Sequence, residues 1–170
     1  GTLMLLMAFG LMASADGSYA FDAIRTSPPS VGLAALVLIL ALIGAGSKAG
    51  LVPLHAWLPL AHPAAPSHVS ALMSGVMTKV AIYGFIRVVF DLLGPPTWPA
   101  SAVVLGLGSI TAVMGILYAM METDLKRLLA YSTIENVGII FVSLGLALTL
   151  TTQTEIAISA GLTAPMSRPA

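Results

Sequence analysis

Apolar residues in this chain come in long unbroken blocks, not at the three-to-four-residue spacing of a soluble amphipathic helix. Residues 1–13, 31–46, 69–93, 100–121 and 128–150 are almost wholly apolar, and short polar or proline-rich stretches separate them. A membrane-spanning helix needs about 20 consecutive apolar residues. The blocks therefore predict a partial span over 1–13, full spans over 69–93, 100–121 and 128–150, and a longer element over 31–60. The last is too long for one straight crossing, and Pro53 and Pro59 lie inside it. An interior proline removes a backbone hydrogen bond and clashes with the preceding turn, so a break near Lys48–Pro53 is expected. The connectors are 14–30, ended by Pro28-Pro29 with Ser30 placed to cap the next helix, then 61–68, 94–99 and 122–127. Trp98 suits a membrane edge. Gly106, Gly108 and Gly115 suit close helix–helix approach.

Composition sharpens the picture. The chain is 58% hydrophobic and 8% charged, against about 25% charged in a soluble domain, which excludes a soluble fold. Seven basic and seven acidic residues cancel, so nothing points to nucleic acid. There is no cysteine, and the three histidines are scattered. No thiolate or convincing histidine metal site is available, and no cofactor is expected in this chain. Lys126 and Arg127 orient the 122–127 turn toward the cytoplasm by the positive-inside tendency. The chain starts inside an apolar run without an initiator methionine. Residues 151–170 begin another apolar pattern and then meet proline and arginine. The chain thus reads as a fragment, with 151–170 the truncated start of a further helix or a disordered tail.

Against this background a few polar residues stand out. Lys48 sits in apolar sequence just before the expected break, and Lys79 lies ten residues inside its span. An ammonium in bilayer hydrocarbon costs roughly 2.5–3.5 kcal/mol on insertion scales, so each is a candidate proton carrier. The plainer alternatives are that Lys48 snorkels to an interface and that Lys79 is held by helix carbonyls or by an acid elsewhere. His55 follows Lys48 by seven residues, on nearly the same helix side. His68, Leu72, Gly75 and Lys79 step by four, three and four along one face. Glu135 is the one acid well inside a span, a relay station or a structural counter-charge. Arg87 and Asp91 are spaced as an i,i+4 pair. His62 stays unassigned. No phosphate loop, nucleophile–base pair or zinc spacing appears, so covalent chemistry is not expected.

Two strings carry a resemblance. SKAGLVPLHAWLPLAHPAAPSHVSALMSGVMTKVAIYGFIRVV and TDLKRLLAYSTIENVGII resemble the proton-conducting antiporter-like subunits of respiratory complex I, multisubunit sodium/proton antiporters and energy-converting hydrogenases. The variants at 62–68 and 133–138 look closest to the branch of large membrane subunits in hydrogenase-4 and formate hydrogenlyase. The resemblance implies an all-α polytopic bundle, part of an inverted-repeat antiporter-like fold with one broken helix. It implies that Lys48 matches the family's central lysine and Lys79 its connecting lysine. After about Ala164 the sequence departs from the family pattern.

The expected function is that of a proton-translocating membrane subunit in a redox-driven respiratory or hydrogenase complex. Lys48, Lys79, Glu135, His55 and His68 would form the relay, and the chain itself would do no redox chemistry. Its partners would be other membrane subunits and a peripheral hydrogenase, formate dehydrogenase or NADH dehydrogenase-like arm. Its place would be the cytoplasmic membrane of a bacterium or archaeon. The alternatives are a sodium/proton antiporter subunit without a redox partner, and a structural membrane anchor with inert lysines.

Overall fold

The computed structural model describes residues 1–13, 19–26, 29–94 and 97–159. Eight α-helices succeed one another within them: α1 (Thr2–Leu11), α2 (Phe21–Thr26), α3 (Val31–Ala49), α4 (Trp57–Ala64), α5 (Ser67–Leu72), α6 (Thr78–Ile86), α7 (Trp98–Met121) and α8 (Leu125–Ser159). A π-helical segment, Met73–Met77, joins α5 to α6, and a second, Arg87–Leu92, extends α6. No strand occurs among the described residues. Four continuous helical stretches are long and apolar enough to cross a membrane: Val31–Ala49, Ser67–Leu92, Trp98–Met121 and Leu125–Ser159. This is the polytopic helical bundle that the block pattern predicts.

Three details differ from the sequence-based expectation. The 14–30 connector contains a helix, α2, whose Ile24 is buried in the core; residues 14–18 and 27–28 lie outside the described residues. The 61–68 connector is mostly helical: α4 runs on to Ala64 and α5 begins at Ser67. Pro59, of the preceding element, is in the first turn of α4, where backbone N–H groups have no intrahelical partner anyway; of the connector's own prolines, Pro63 is next to last in α4 and Pro66 directly precedes α5. Helix α8 continues through 151–159, past the expected end near Leu150. The hydroxyls of Thr151, Thr152 and Thr154 donate to the carbonyls of Ala147, Leu148 and Leu150, so the threonine run satisfies itself without leaving the helix. Residues 160–170, including the departure after Ala164, lie outside the described residues. Ser30 precedes α3, but only its backbone carbonyl serves the helix, accepting from Ala34 N–H at 2.8 Å; its side chain makes no cap.

Lipid offers no hydrophobic drive for helix association, so close packing must hold such a bundle together. The tightest contact is the antiparallel pair α7 and α8. A Cβ on Gly115 would lie 2.6 Å from Glu135 N, one on Gly108 2.7 Å from Val142 N, and one on Gly145 2.7 Å from Leu105 Cα. Gly138 meets the backbone of Ala112 in the same way. Glycine is required at all four, since any side chain would drive the backbones apart. Gly106 faces open space. Beside this seam, Phe141 of α8 packs on Phe85 of α6 with ring centroids 5.1 Å apart. Leu58 of α4 buries itself with Ala130 and Ile134, which seats the α3–α4 region against α8.

Polar contacts fix both ends of the bundle. At one end Arg25 forms a two-pronged bond to Asp91, both contacts 2.7 Å. Arg87 reaches the same carboxylate at 2.9 Å and stacks over Phe21. The Arg25 guanidinium is held above its ordinary pKa first by the hydrogen bond it donates to Asp91 and then, against some desolvation, by the Asp91 charge. At the other end Lys126 Nζ donates to Ala65 O at 2.9 Å.

Candidate functional site

Helix α3 stops three residues before Pro53, and glycine makes the stop. Gly50 has φ 91°, a left-handed conformation open to residues without a Cβ. Its N–H and that of Leu51 both donate to Gly46 O, at 2.9 and 2.8 Å. This is a Schellman-type cap, and it leaves Ser47 O open. The indole N–H of Trp57, first residue of α4, takes that carbonyl at 2.8 Å. Within the break, Val52 N–H donates to Thr111 Oγ1 of α7 at 3.1 Å, and the Val52–Pro53 peptide is cis. Broken backbone at membrane depth is tolerated where such partners exist. Here α4 and α7 supply them.

Lys48 occupies the last turn of α3, the negative end of the helix dipole, where a cation is favoured. It lines a cavity of about 330 Å³ with Gly1, Thr2, Ser47, Trp57 and Met77. Among the described residues its ammonium has no hydrogen bond or ion pair.

Lys79 lies just beyond the first π-helical segment. Inserting a residue into an α-helix disturbs the regular ladder and leaves carbonyls for other donors. Ser74 O takes two, Lys79 Nζ at 2.9 Å and Thr78 Oγ1 at 2.9 Å. The carbonyl-held lysine foreseen as the plainer alternative is thus present, but it sits in a polar groove. Ser74, Thr78, Lys79, Thr133 and Asn136 line about 270 Å³ between α6 and α8, and Ser74 Oγ and Thr133 Oγ1 are hydrogen-bonded at 2.8 Å. Through Ser74, Thr133 and Asn136 the groove joins a larger cavity of about 600 Å³, which His62, Ser70, Ser132 and Lys126 also line. His62 is 2% exposed. Its Nδ1 is hydrogen-bonded to Ser70 Oγ, while Nε2 is enclosed without a partner.

The remaining sequence candidates are dispersed. His55 is in the break, its carbonyl accepting from Leu58 N–H at 3.0 Å and its Nδ1 enclosed without a partner. His68 is exposed at the start of α5 and lines neither lysine cavity. The π-helical segment also interrupts the even stepping from His68 to Lys79. Glu135 is half-buried where Gly115 crosses its backbone. Among the described residues its carboxyl has no hydrogen bond or ion pair, and its neighbour Asn136 is the one that faces the groove. The sequence left His62 unassigned and did not single out the groove hydroxyls. A visible signal was Ser67, Ser70, Ser74 and Thr78 recurring every three or four residues in an otherwise apolar span.

Each hydroxyl and neutral imidazole here can both donate and accept. With water between them, such groups can pass protons from the Lys126 end of the bundle to Lys79. Among the described residues no three or more His, Asp or Glu side chains cluster as metal ligands would.

Comparison with known proteins gives concordant results. The family described as NADH:quinone oxidoreductase/Mrp antiporter, transmembrane, matches residues 1–163. Hydrogenase-4 component B of Escherichia coli is 52% identical over 151 residues, 87% of this chain and 22% of that protein. Formate hydrogenlyase subunit 3 of the same organism is 38% identical over 151 residues, 88% of this chain and 24% of that protein. Among solved structures, a chain of the Mrp complex from Dietzia sp. superposes with TM-score 0.71 at 27% identity, over 85% of this chain and 27% of that one. The chain therefore spans about a quarter of the length of these relatives.

Proposed function

This chain belongs to the NADH:quinone oxidoreductase/Mrp antiporter transmembrane family, and from that premise we propose that it is the proton-conducting middle of an antiporter-like membrane subunit. Its partners are a hydrogenase- or complex I-type redox arm and neighbouring membrane subunits of a bacterial or archaeal cytoplasmic membrane. Lys79 and Lys48 carry the proton, and His62 with the Ser70, Ser74 and Thr133 hydroxyls leads it to Lys79. The observation that carries this reading is the hydroxyl-lined groove. A lysine kept only for structure needs one carbonyl, and Lys79 has that in Ser74 O. It has no need of a continuous row of groups that both donate and accept. Intramembrane ionisable residues on such rows mark ion pathways.

The test is proton uptake by everted vesicles carrying the full-length protein in its complex, followed with a pH-sensitive dye. Lys48→Ala and Lys79→Ala each lower flux roughly a hundredfold or more, the scale of losing a positioned acid–base group, with assembly intact. Unchanged flux in both would leave a structural anchor. A second reading, sodium/proton exchange, is favoured by the likeness to the Mrp complex chain. Flux that requires added sodium and no electron donor would select it.

A further inference from the structure

The proposed groove does not use every polar cavity of the fold. Where the break and α4 meet the α7–α8 turn, a separate cavity of about 290 Å³ is lined by His55, Pro59, Tyr118, Glu122, Arg127 and Tyr131. It shares no lining residue with the cavities around Lys79 or Lys48. The two basic residues of the turn divide between the sides: Lys126 faces the groove and Arg127 this cavity. Liquid water takes about 30 Å³ per molecule, so several fit. Tyr118 and Tyr131 stack across it, centroids 5.4 Å apart and ring planes 24° apart. The titratable and charged groups facing it are His55 from the break, Tyr118 and Glu122 from the end of α7, and Arg127 and Tyr131 from α8.

His55 is what makes this cavity more than a surface dent. Nδ1, unlike Nε2, is enclosed with no partner among the described residues, and an unpaired buried polar atom is costly enough to ask for an explanation. An imidazole with one nitrogen shut inside the protein and its ring on a polar cavity has the form of a relay. Two residues further on, Trp57 lines the Lys48 cavity and bonds the carbonyl next to Lys48. His55 and Trp57, two residues apart, thus line one chamber each.

We propose that this cavity is a second, hydrated proton intake serving Lys48, with Glu122 as the collecting group and His55 as the inward relay. The inference rests on the proton-conducting reading of the Lys48 and Lys79 cavities. Glu122 takes a proton from bulk water and hands it through the cavity's waters and tyrosine hydroxyls to His55 Nε2, returning to carboxylate. Each water and hydroxyl on the way accepts one proton and gives one up. The imidazolium then releases its Nδ1 proton toward the break; rotation of the ring brings Nδ1 to the cavity, where one water-borne exchange moves the remaining proton from Nε2 to Nδ1 and resets the cycle.

The test uses the full-length protein in its complex, in everted vesicles, with Glu122→Gln, Glu122→Asp, Tyr131→Phe and His55→Gln beside Lys79→Ala. Assembly is checked by the complex's electron-transfer activity. Glu122→Gln and His55→Gln should slow proton uptake several-fold at alkaline pH, where collecting protons limits the rate, and much less at acid pH. Glu122→Asp should restore the profile, and Tyr131→Phe should fall between. An unchanged rate and pH profile in Glu122→Gln and His55→Gln, with flux lost in Lys79→Ala, would overturn the second intake and leave the Lys79 path standing. Unchanged flux in all of them, Lys79→Ala included, would overturn both readings. If His55→Gln fails to assemble, Glu122→Gln at the rim decides alone.

Discussion

At the scale of single residues, Lys79 shows how a costly side chain is kept in a membrane helix. Its ammonium is held by a carbonyl that the π-helical segment leaves open. This predicts a split between substitutions. Lys79→Arg keeps the charge and can keep the Ser74 contact, but guanidinium does not release its proton in proteins. Proton flux in Lys79→Arg vesicles should therefore fall as far as in Lys79→Ala, while the complex assembles at the wild-type level. Full flux in the arginine variant would show that only the charge matters. Thr111 is a second case. It supplies the acceptor for Val52 N–H inside the break, so Thr111→Val leaves that donor unpaired and should cost about 1–3 kcal/mol, read as a lower midpoint in thermal or denaturant unfolding of the purified protein.

Among elements, the α7–α8 pair is the rigid wall against which the broken helix leans. Four glycines let the backbones touch, and the same α8 presents Ile134 to Leu58 and Thr133 to Ser74. Gly115→Leu should thus disturb wall and groove together. Overpacking usually costs about 1–3 kcal/mol, and a clash with backbone falls at or beyond the upper end. The expected result is loss of assembled complex in the membrane fraction. Gly106→Leu, which meets nothing within 4 Å, should assemble normally. The sequence announced glycines on α7 as packing positions, but it could not say which of them face α8. That choice depends on the relative rotation of the two helices, which a helix with apolar residues all round does not encode.

At the scale of the whole molecule, contacts at the two ends define the sides. Arg25–Asp91 ties α2 to the end of the Ser67–Leu92 stretch, and Lys126–Ala65 ties the α7–α8 turn to the α4–α5 junction. The 170 residues contain no cysteine, so single cysteines introduced among them report topology when labelling is compared with the unsubstituted protein. Thr123→Cys and Ala65→Cys should react with an impermeant thiol reagent from one side of the membrane, and Tyr19→Cys and Thr97→Cys from the other. Labelling of Thr123→Cys and Thr97→Cys from the same side would refute four crossings.

The amino-acid sequence by itself determined that the chain is helical and membrane-spanning, where its spans lie, that the third element breaks, and which lysines fall within the apolar blocks. It did so because apolar length, proline and isolated charge are local properties with large energies. Tertiary structure alone decided that Gly50 rather than Pro53 ends α3, and that Thr111 and Trp57 satisfy the broken backbone. It also brought Lys79 into one groove with Ser74 and Thr133, put His62 on the adjoining cavity, and left Glu135 aside. These outcomes depend on helix rotation and on a one-residue π insertion. Their local energies are small, and only neighbouring helices fix them.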